Sequence, residues 1–323
     1  MGLLQETCDA IHSRSKEIEQ HIIKNWNDAS DSKQYGRLVN MVAQYGAATN
    51  QKNVTIPKPC MIIASADHGV ADMGVSAYPK ETTVGMTQNY LIPKGAGANS
   101  LANYCGATME VIDMGIDADM SWVPGLRSHK LGMGTKNFVE EPAMTREQAM
   151  EGIETGIKLV QEKMANGYNV FLVGEMGISN TTASALMTAK FAGLTAEEAT
   201  GRGTNISDER LKLKQRIVHD VLVKYQDIPK DDAIGILATV GGFEFTCIVG
   251  VILGAAAHHG MVIIDGFNTS ACALVAKTLV PASMDYVMAS HLSAEKAAKS
   301  SLQNLGLEAY VDLGLCLGEA SGG

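Results

Sequence analysis

Apolar positions follow two different spacings along this chain of 323 residues. In the first 50 residues, apolar positions such as Leu4, Ile11, Ile18 and Ile22 are separated by charged ones. This pattern predicts amphipathic helices that lie outside any sheet. From Cys60 onward, short apolar runs are each followed by glycine or polar residues and then by a helical stretch. Each of these runs has the length of one buried strand.

Seven apolar runs are predicted to be strands. In chain order they are CMIIASA (60–66), ATMEVIDM (107–114), YNVFLVG (168–174), AIGILAT (233–239), MVIIDG (261–266), DYVMAS (285–290) and YVDLGL (310–315). Strands that alternate with helices indicate right-handed crossovers and a mostly parallel sheet covered on both faces. The pattern therefore predicts a three-layer α/β domain over residues 51–323 and a small helical domain or cap over residues 1–50.

Composition narrows the class of protein. Hydrophobic residues make up 46% of the chain, and its 33 glycines are typical of an α/β enzyme whose strands end in tight turns. A net charge of −9, with scattered basic residues, argues against a nucleic-acid partner. No stretch reaches the roughly 18 uninterrupted apolar residues of a membrane span. We expect a cytoplasmic protein whose six cysteines are reduced and structural.

Acidic residues and glycines follow the predicted strands. Ligands of parallel sheets bind beyond the carboxyl ends of the strands, so these positions are candidates for a site. Each alone also fits ordinary turn chemistry, but six at one edge are harder to dismiss. The segments are Asp67-His68-Gly69, Glu175-Met176-Gly177, Gly241-Gly242-Phe243-Glu244, Asp265-Gly266, Ser290-His291 and Gly318-Glu319-Ala320-Ser321-Gly322.

The loop GEMGISNTT is a candidate phosphate site. The strand before it is expected to stop at Gly174, and Asn180 and Thr181 to cap a helix that begins near Thr182. A helix N-terminus behind glycines offers free N–H groups and a positive dipole to an anion. A plain capped helix explains the same pattern equally well.

A second glycine loop, GRGTN at 201–205, precedes a helix capped by Ser207. Arg202, Lys212 and Lys214 place positive charge near this loop, which suggests the phosphate of a nucleotide. For the two lysines, a solvated helix face is an equally good reading.

The loop that follows the first strand contains Asp67, His68 and Asp72. Their spacing matches no standard metal site, so neither a metal nor a cofactor is predicted.

Ten ordered strings along residues 35–323 together carry a family resemblance. They are ADHGVADMGVSAYPKETT, KGAGANSLANYCGA, GTKNF with EPAMTREQA, GEMGISNTT, GRGT, GGFE, IDGF, PASMDY, SHLSAE and LGLCLGEASGG. The chain resembles the nicotinate-nucleotide:dimethylbenzimidazole phosphoribosyltransferases of the cobalamin pathway. The resemblance implies a Rossmann-like fold with a small helical domain, a dimer, and nicotinate mononucleotide and an aromatic base as substrates. The implied reaction transfers the 5-phosphoribosyl group to the base, which releases nicotinate and gives an α-ribotide.

The resemblance also implies roles for individual residues. Glu319 matches the family's catalytic base, and a partly apolar pocket should raise its pKa. Glu175 resembles the second active-site acid, which would act on the ribose hydroxyls or on positive charge at C1. The candidates for phosphate and ribose binding are Gly177, Ser179, Asn180, Thr181, Arg202, Gly203, Thr204, Lys212, Gly242 and Asp265. The candidates for the base pocket are Ser76, Tyr78, Pro79, Gln88 and Leu315.

Departures from the family pattern leave alternatives open. The family usually has glycine where this chain has Ser179 and Asn205, and the segment after SAE reads KAAKSS. These changes are compatible with a paralogue that uses a purine or a phenol, or with a non-catalytic or partner-dependent subunit. A nucleotide hydrolase with a metal at Asp67 and His68 is a further alternative.

Overall fold

A computed structural model describes residues 2–29 and 32–323. Within these residues the chain forms one six-stranded sheet with helices packed on both of its faces. The strands are β1 (Pro59–Ala66), β2 (Thr108–Gly115), β3 (Arg127–Ser128), β4 (Val170–Met176), β5 (Met261–Ile264) and β6 (Val287–Ala289).

The helices account for most of the remaining described residues. In chain order they are α1 (Leu3–Ala10), α2 (Lys16–Ala29), α3 (Leu38–Ala48), α4 (Thr82–Leu91), α5 (Gly97–Cys105), α6 (Arg146–Ala165), α7 (Asn180–Ala192), α8 (Ala196–Ala199), α9 (Asp208–Lys224), α10 (Ala233–Val240), α11 (Phe243–Ala257), α12 (Phe267–Leu279) and α13 (Ala298–Leu305). Three 3₁₀ helices span Ser32–Tyr35, Gly69–Met73 and Pro281–Tyr286.

The sheet order is β3-β2-β1-β4-β5-β6, and the pairings between these strands are parallel. Chain order reverses between β1 and β4, which makes this boundary the topological switch point of a Rossmann-like sheet. All seven residues of β4 are buried, as expected for a central strand covered on both faces. The predicted α/β, Rossmann-like fold is confirmed.

Two of the seven strand predictions are wrong. The run AIGILAT lies in α10, where Asp232 caps the helix by accepting a hydrogen bond from the Gly235 N–H at 2.9 Å. All eight residues of α10 are buried, and a fully buried helix has no polar face to reveal its period. The run YVDLGL forms only an isolated bridge between Val311 and His291. Sequence reasoning also missed β3, which has two residues.

The predicted N-terminal helices are present in the described part of residues 1–50. Ile18 and Ile22 of α2 pack with Ala43 and Ala47 of α3 in a small apolar cluster separate from the main core. Helix α1 contacts α6 and α11, so the segment also packs on the large domain. The domain boundary at residue 50 stays a prediction.

Two further sequence expectations concern membranes and cysteines. Among the described residues, no helix combines the length and the apolar character needed to cross a bilayer. All six cysteines are free thiols, and Cys60, Cys247 and Cys272 are buried in the core. Cys105 and Cys316 are exposed, so the expectation that the cysteines are structural fails for these two.

Candidate active site

A cavity of about 530 Å³ lies over the carboxyl ends of β4, β5 and β6. This is the edge where the sequence placed its acidic residues and glycines. The segments that line it include 75–76, 175–181, 203–205, 265–268 and 316–319, together with residues 78, 291, 293 and 295. The cavity therefore combines loops that are distant in sequence.

Glu175 forms part of the floor of the cavity. It is 7% exposed and accepts hydrogen bonds from the side-chain amides of Asn180 and, at 2.9 Å, of Asn268. Burial raises its pKa to about 7, the nearby Glu244 and Asp265 carboxylates add to this, and the two amide hydrogen bonds oppose it. The carboxyl group of Glu175 can therefore gain or lose a proton near neutral pH, as catalytic acids and bases do.

Glu319 lines the same cavity as Glu175 and stands on a backbone turn of unusual conformation. Gly318, Glu319 and Ala320 all have left-handed backbone angles, with φ of 84°, 62° and 59°. The loop reaches this position because β4 has a glycine beneath it: a Cβ on Gly174 would lie 2.2 Å from the Ala320 nitrogen. Burial raises the pKa of Glu319, in agreement with expectation. Left-handed non-glycine residues are rare and concentrate at functional sites.

Tyr90 of α4 is close enough to both acids to feel their charge. Its ring is 1% exposed, and its hydroxyl finds no hydrogen-bond partner of normal geometry in the described part of the chain. Burial, together with the Glu319 and Glu175 carboxylates, raises the pKa of Tyr90 well above its usual value. Sequence reasoning missed this residue, because a tyrosine in a helix carries no signal of what it faces.

Asp265 connects the end of β5 to the C-terminal loop. Its Oδ1 accepts a hydrogen bond from the Gly322 N–H at 2.7 Å and lies 3.6 Å from Nδ1 of His291. Burial raises the pKa of Asp265, while the Gly322 N–H and the positive character of His291 act in the opposite direction. Asp265 and His291 both line the cavity.

The opposite wall begins where β4 turns into α7. The strand continues to Met176, two residues beyond the predicted end, and α7 begins at Asn180. Asn180 and Thr181 are therefore in the first turn and are not caps. The capping position is Ser179, whose φ of 77° is the left-handed conformation in which glycine is favoured. Its hydroxyl is buried and has no hydrogen-bond partner among the described residues.

Lys214 of α9 lies directly behind this wall. It is 1% exposed, and its Nζ donates a hydrogen bond to Thr181 Oγ1 at 2.8 Å. A Cβ added to Gly203 would lie 3.3 Å from the same Nζ. Burial lowers the pKa of Lys214 to about 8. The Lys214 ammonium also lies 3.5 Å from the Gly201 carbonyl, so its hydrogen bonds go to neutral oxygens, and Glu295 is the nearby opposite charge. A buried cation with neutral hydrogen-bond partners favours an anionic ligand.

The loop GRGTN completes this wall. The Gly203 N–H donates to Glu295 Oε1 at 2.7 Å, and Asn205 has a left-handed φ of 59°. Asparagine tolerates this conformation better than most residues, so it can stand where the family has glycine. The Arg202 guanidinium is turned away, toward the Ile206 carbonyl and the Asp208 carboxylate.

The structure brings most of the sequence-predicted site residues to the cavity. Those that line it are Glu319, Glu175, Gly177, Ser179, Asn180, Thr181, Gly203, Thr204, Asp265, Ser76 and Tyr78. His291, from the candidate segment Ser290-His291, lines it as well. Asn268 and Glu295 also line it, although they were not among the candidates. Asn268 lies two residues after the predicted run MVIIDG, so its position along the chain was an available signal.

Six candidates do not line the cavity. They are Arg202, Lys212, Gly242, Pro79, Gln88 and Leu315. Lys212 and Pro79 are exposed, and Gln88 is half-buried on α4. Gly242 precedes α11, where an added Cβ would lie 2.5 Å from both Glu244 and His68. Leu315 does not reach the cavity, but the next two residues, Cys316 and Leu317, line it.

His68 and Glu244 form a pair below the floor of the cavity. His68 Nε2 is 2.7 Å from Glu244 Oε1, and both side chains are fully buried. Burial lowers the pKa of His68, but the charge of Glu244 and its hydrogen bond outweigh burial and raise it. No cluster of three or more His, Cys, Asp or Glu residues suited to a metal occurs within residues 2–29 and 32–323.

A parallel sheet with buried acids and an anion-compatible helix start at its switch point defines an α/β enzyme of nucleotide chemistry. The chain belongs to a phosphoribosyltransferase family, whose model matches residues 11–323.

Named relatives are nicotinate-nucleotide–dimethylbenzimidazole phosphoribosyltransferases. The Chloroflexus aggregans protein is 42% identical over 287 residues, which is 89% of this chain and 81% of the relative. The Geobacter sulfurreducens protein is 43% identical over 288 residues, with the same coverage. The crystal structure of the Thermus thermophilus protein of this name is 32% identical, covers 95% of this chain and 91% of its own, and superposes with a TM-score of 0.88.

Proposed function

We propose that this chain transfers the 5-phosphoribosyl group of nicotinate mononucleotide to an aromatic base of the dimethylbenzimidazole type. Family membership and the names of the relatives support the reaction class. The observation that carries the proposal is that two buried acids, Glu175 and Glu319, line one cavity at the switch point of the sheet, with Glu319 on a left-handed turn.

The chemistry assigns different tasks to the two acids. One ring nitrogen of the base attacks the ribosyl C1 from the face opposite nicotinate, and the C1–N bond to nicotinate breaks with its electron pair. The other ring nitrogen loses its proton to the Glu319 carboxylate, so the product base is neutral. Glu175 lies close enough to Gly318 to face the same substrate and, when ionised, stabilises positive charge at C1 or binds the ribose hydroxyls.

The phosphoryl group is proposed to bind at the start of α7. The unpaired Ser179 hydroxyl and the Thr204 hydroxyl offer hydrogen bonds there, and the positive end of the α7 dipole favours an anion. Lys214, directly behind Thr181 and Gly203, supplies the positive charge. Holding both substrates in line removes much of the entropic barrier to the reaction.

The aromatic base is proposed to bind at the apolar side of the cavity. Val75, Tyr78, Met86 and Leu317 line this side and offer flat or flexible surfaces to a planar ring. Tyr78 and Leu317 are more than half exposed, which leaves room for bases of different size.

The test is release of nicotinate from nicotinate mononucleotide by the purified chain, with chromatography of the ribotide across benzimidazoles, adenine and phenols. Release that depends on one of the bases supports the proposal and identifies the preferred base. Binding of both substrates without release would favour the non-catalytic or partner-dependent subunit. Base-independent hydrolysis that a chelator abolishes would favour the metal hydrolase.

Assembly and location are further parts of the proposal. The family resemblance supports a dimer, and light scattering of the purified chain tests it, since a mass of 34.3 kDa would contradict a homodimer. The chain is acidic and its cysteines are free thiols, and it is proposed to act in the cytoplasm. Fractionation of cells that carry a tagged copy would test this location.

A further inference from the structure

The loop on the base side and the loop on the phosphate side are joined by a clip of three residues: Ser76, Thr204 and Arg210. Ser76 Oγ and Thr204 Oγ1 are 3.2 Å apart, and the Ala77 N–H donates to Thr204 Oγ1 at 3.0 Å. Arg210 Nη1 donates to the Ser76 carbonyl at 2.8 Å. The two loops are separated by more than 120 residues in sequence, and each lines the cavity.

The two hydroxyls of the clip can bond in either direction. Ser76 Oγ accepts from the Tyr78 N–H at 3.3 Å and Thr204 Oγ1 accepts from the Ala77 N–H at 3.0 Å, so each oxygen keeps one acceptor position and one proton for the other hydroxyl. An anion in the cavity selects one of the two directions. When Thr204, which lines the cavity, donates its proton to the anion, its oxygen can only accept from Ser76.

Such a chain of hydroxyls responds to what binds at its end. When a hydroxyl donates to an anion, its oxygen becomes a better acceptor, so neighbouring hydrogen bonds strengthen. Anion binding at Thr204 therefore tightens the bonds to Ser76 and to the Ala77 N–H. The effect reaches Tyr78, whose N–H ends the chain.

The base-side loop is exposed at its tip. Val75 and Ser76 are buried, but residues 77–79 are exposed, with Tyr78 57% exposed. After the tip, Lys80 Nζ donates to Asp117 Oδ2 at 2.6 Å and the Pro79 carbonyl accepts from the Thr82 N–H, which fixes the end of the loop at α4. The clip connects the tip to the phosphate-side loop, in which Glu295 accepts from the Gly203 N–H at 2.7 Å.

We propose that Ser76 and Thr204 are positioning residues that couple binding of the phosphoryl group to binding of the aromatic base. An anion at the start of α7 orders the base-side loop and raises the affinity for the base, and the base raises the affinity for the anion by the same factor. This inference rests on the proposed function, because it takes the anion and the base to be parts of the two substrates.

The experiment is a calorimetric titration of the full chain with 5,6-dimethylbenzimidazole, with and without saturating inorganic phosphate. In the wild type, phosphate is expected to lower the Kd for the base by a factor of about five or more. A factor of about five is the lower limit of the affinity changes that one ligand typically causes for another. Thr204→Val keeps the shape but has no hydroxyl, so the factor should fall to about one. Thr204→Ser keeps the hydroxyl and should retain the coupling.

Ser76→Ala supplies a second, independent test. It removes the hydroxyl link from Thr204 to Ser76 but keeps the hydrogen bonds of the Ala77 N–H and of Arg210, which use backbone atoms of the loop. The affinity for phosphate alone should therefore stay within about twofold while the coupling falls. In the double variant Ser76→Ala/Thr204→Val, the coupling should equal that of Thr204→Val, in which the chain of hydroxyls is already broken. Unchanged thermal unfolding midpoints show that the variants are folded.

The outcomes separate this inference from the proposed function. If the wild type releases nicotinate and binds both ligands without coupling, or if Thr204→Val retains the coupling, the clip proposal is overturned alone. If the chain neither binds the base nor releases nicotinate, the proposed function fails and the clip proposal fails with it.

Discussion

The floor and the mouth of the cavity are built in different ways. The floor consists of Glu175, Asp265 and Glu319, which are 7%, 2% and 7% exposed and lie at the ends of β4 and β5 and on the loop over Gly174. At the mouth, Tyr78 and Leu317 are 57% and 58% exposed. The floor is continuous with the core, whereas loops alone form the mouth.

This difference separates chemistry from substrate choice. Burial has already shifted the pKa values of the floor acids, so no reorganisation is needed when the reaction begins. The loops of the mouth depend on a few hydrogen bonds between them, as in the clip of Ser76 and Thr204. Loops on a rigid scaffold tolerate change, so we expect base preference to vary there.

The largest expected effect tests the floor at Glu319. Glu319→Gln keeps the shape of the side chain but cannot accept the proton, so turnover should fall by a factor on the order of 10² to 10⁴ with little change in substrate binding. Steady-state nicotinate release measures it. Glu308→Gln, at an exposed position, is the control and should match the wild type. Near-wild-type turnover of Glu319→Gln would remove Glu319 as the base.

A second substitution tests whether the floor depends on close packing. In Gly174→Ala, the new Cβ would lie 2.2 Å from the Ala320 nitrogen and must displace the Glu319 loop. Moving a catalytic group by about 1 Å from its working position lowers turnover on the order of 100-fold. Gly85→Ala in α4 is the control, because an added Cβ there meets no atom within 4 Å. Equal turnover in the two variants would contradict the packing argument.

Lys214 tests the phosphate wall, and Lys212 is its matched control. Lys214→Met keeps the apolar stem of the side chain but removes its charge. The KM for nicotinate mononucleotide should rise by about 10- to 100-fold, because this factor corresponds to the free energy of one hydrogen bond to a charged group. Lys212→Met, two residues away but exposed, should leave the KM unchanged.

The pH dependence sharpens this test. Because burial lowers the pKa of Lys214 to about 8, the free enzyme loses this charge as pH rises through 8. Phosphate affinity of the wild type should therefore fall above pH 8, whereas Lys214→Met should lack this step. Calorimetry with inorganic phosphate between pH 7 and 9 measures both, and a step of equal size in the variant would contradict the assignment.

The smallest expected effect concerns stability at the floor. The folded state raises the pKa of Glu175 to about 7, so the folded chain binds a proton that the unfolded chain releases near its ordinary pKa. The protonated Glu175 side chain therefore contributes its full share to the unfolding free energy below the pKa that it has in the unfolded chain. This share is lost as the pH rises to about 7, the pKa in the folded chain. Relative to Glu175→Gln, the wild type should lose about 1–3 kcal/mol of unfolding free energy between pH 4 and pH 8. Urea unfolding at both pH values measures it, and parallel behaviour of the two proteins would contradict the raised pKa.

Much of the fold and of the site was predictable, and the exceptions have identifiable causes. Five of the seven predicted strands contain an observed strand, because their apolar runs end at turn residues and precede helices. AIGILAT was mistaken for a strand because α10 is buried all round and shows no helical period; its one local helix signal is Asp232, which caps it. Asp67 and His68 follow a strand as predicted, yet His68 turns under the floor to pair with Glu244.

The sequence by itself determined which edge of the sheet holds the site, because the carboxyl ends of parallel strands meet there and acids and glycines follow those ends. Only the tertiary structure decided which side chains face the cavity. Lys212 and Lys214 lie two positions apart on α9, on nearly opposite sides of a helix, and packing alone decided that Lys214 is the buried one. Tyr90 of α4 and Glu319 of the C-terminal loop are likewise brought close by the fold, although no local pattern links them.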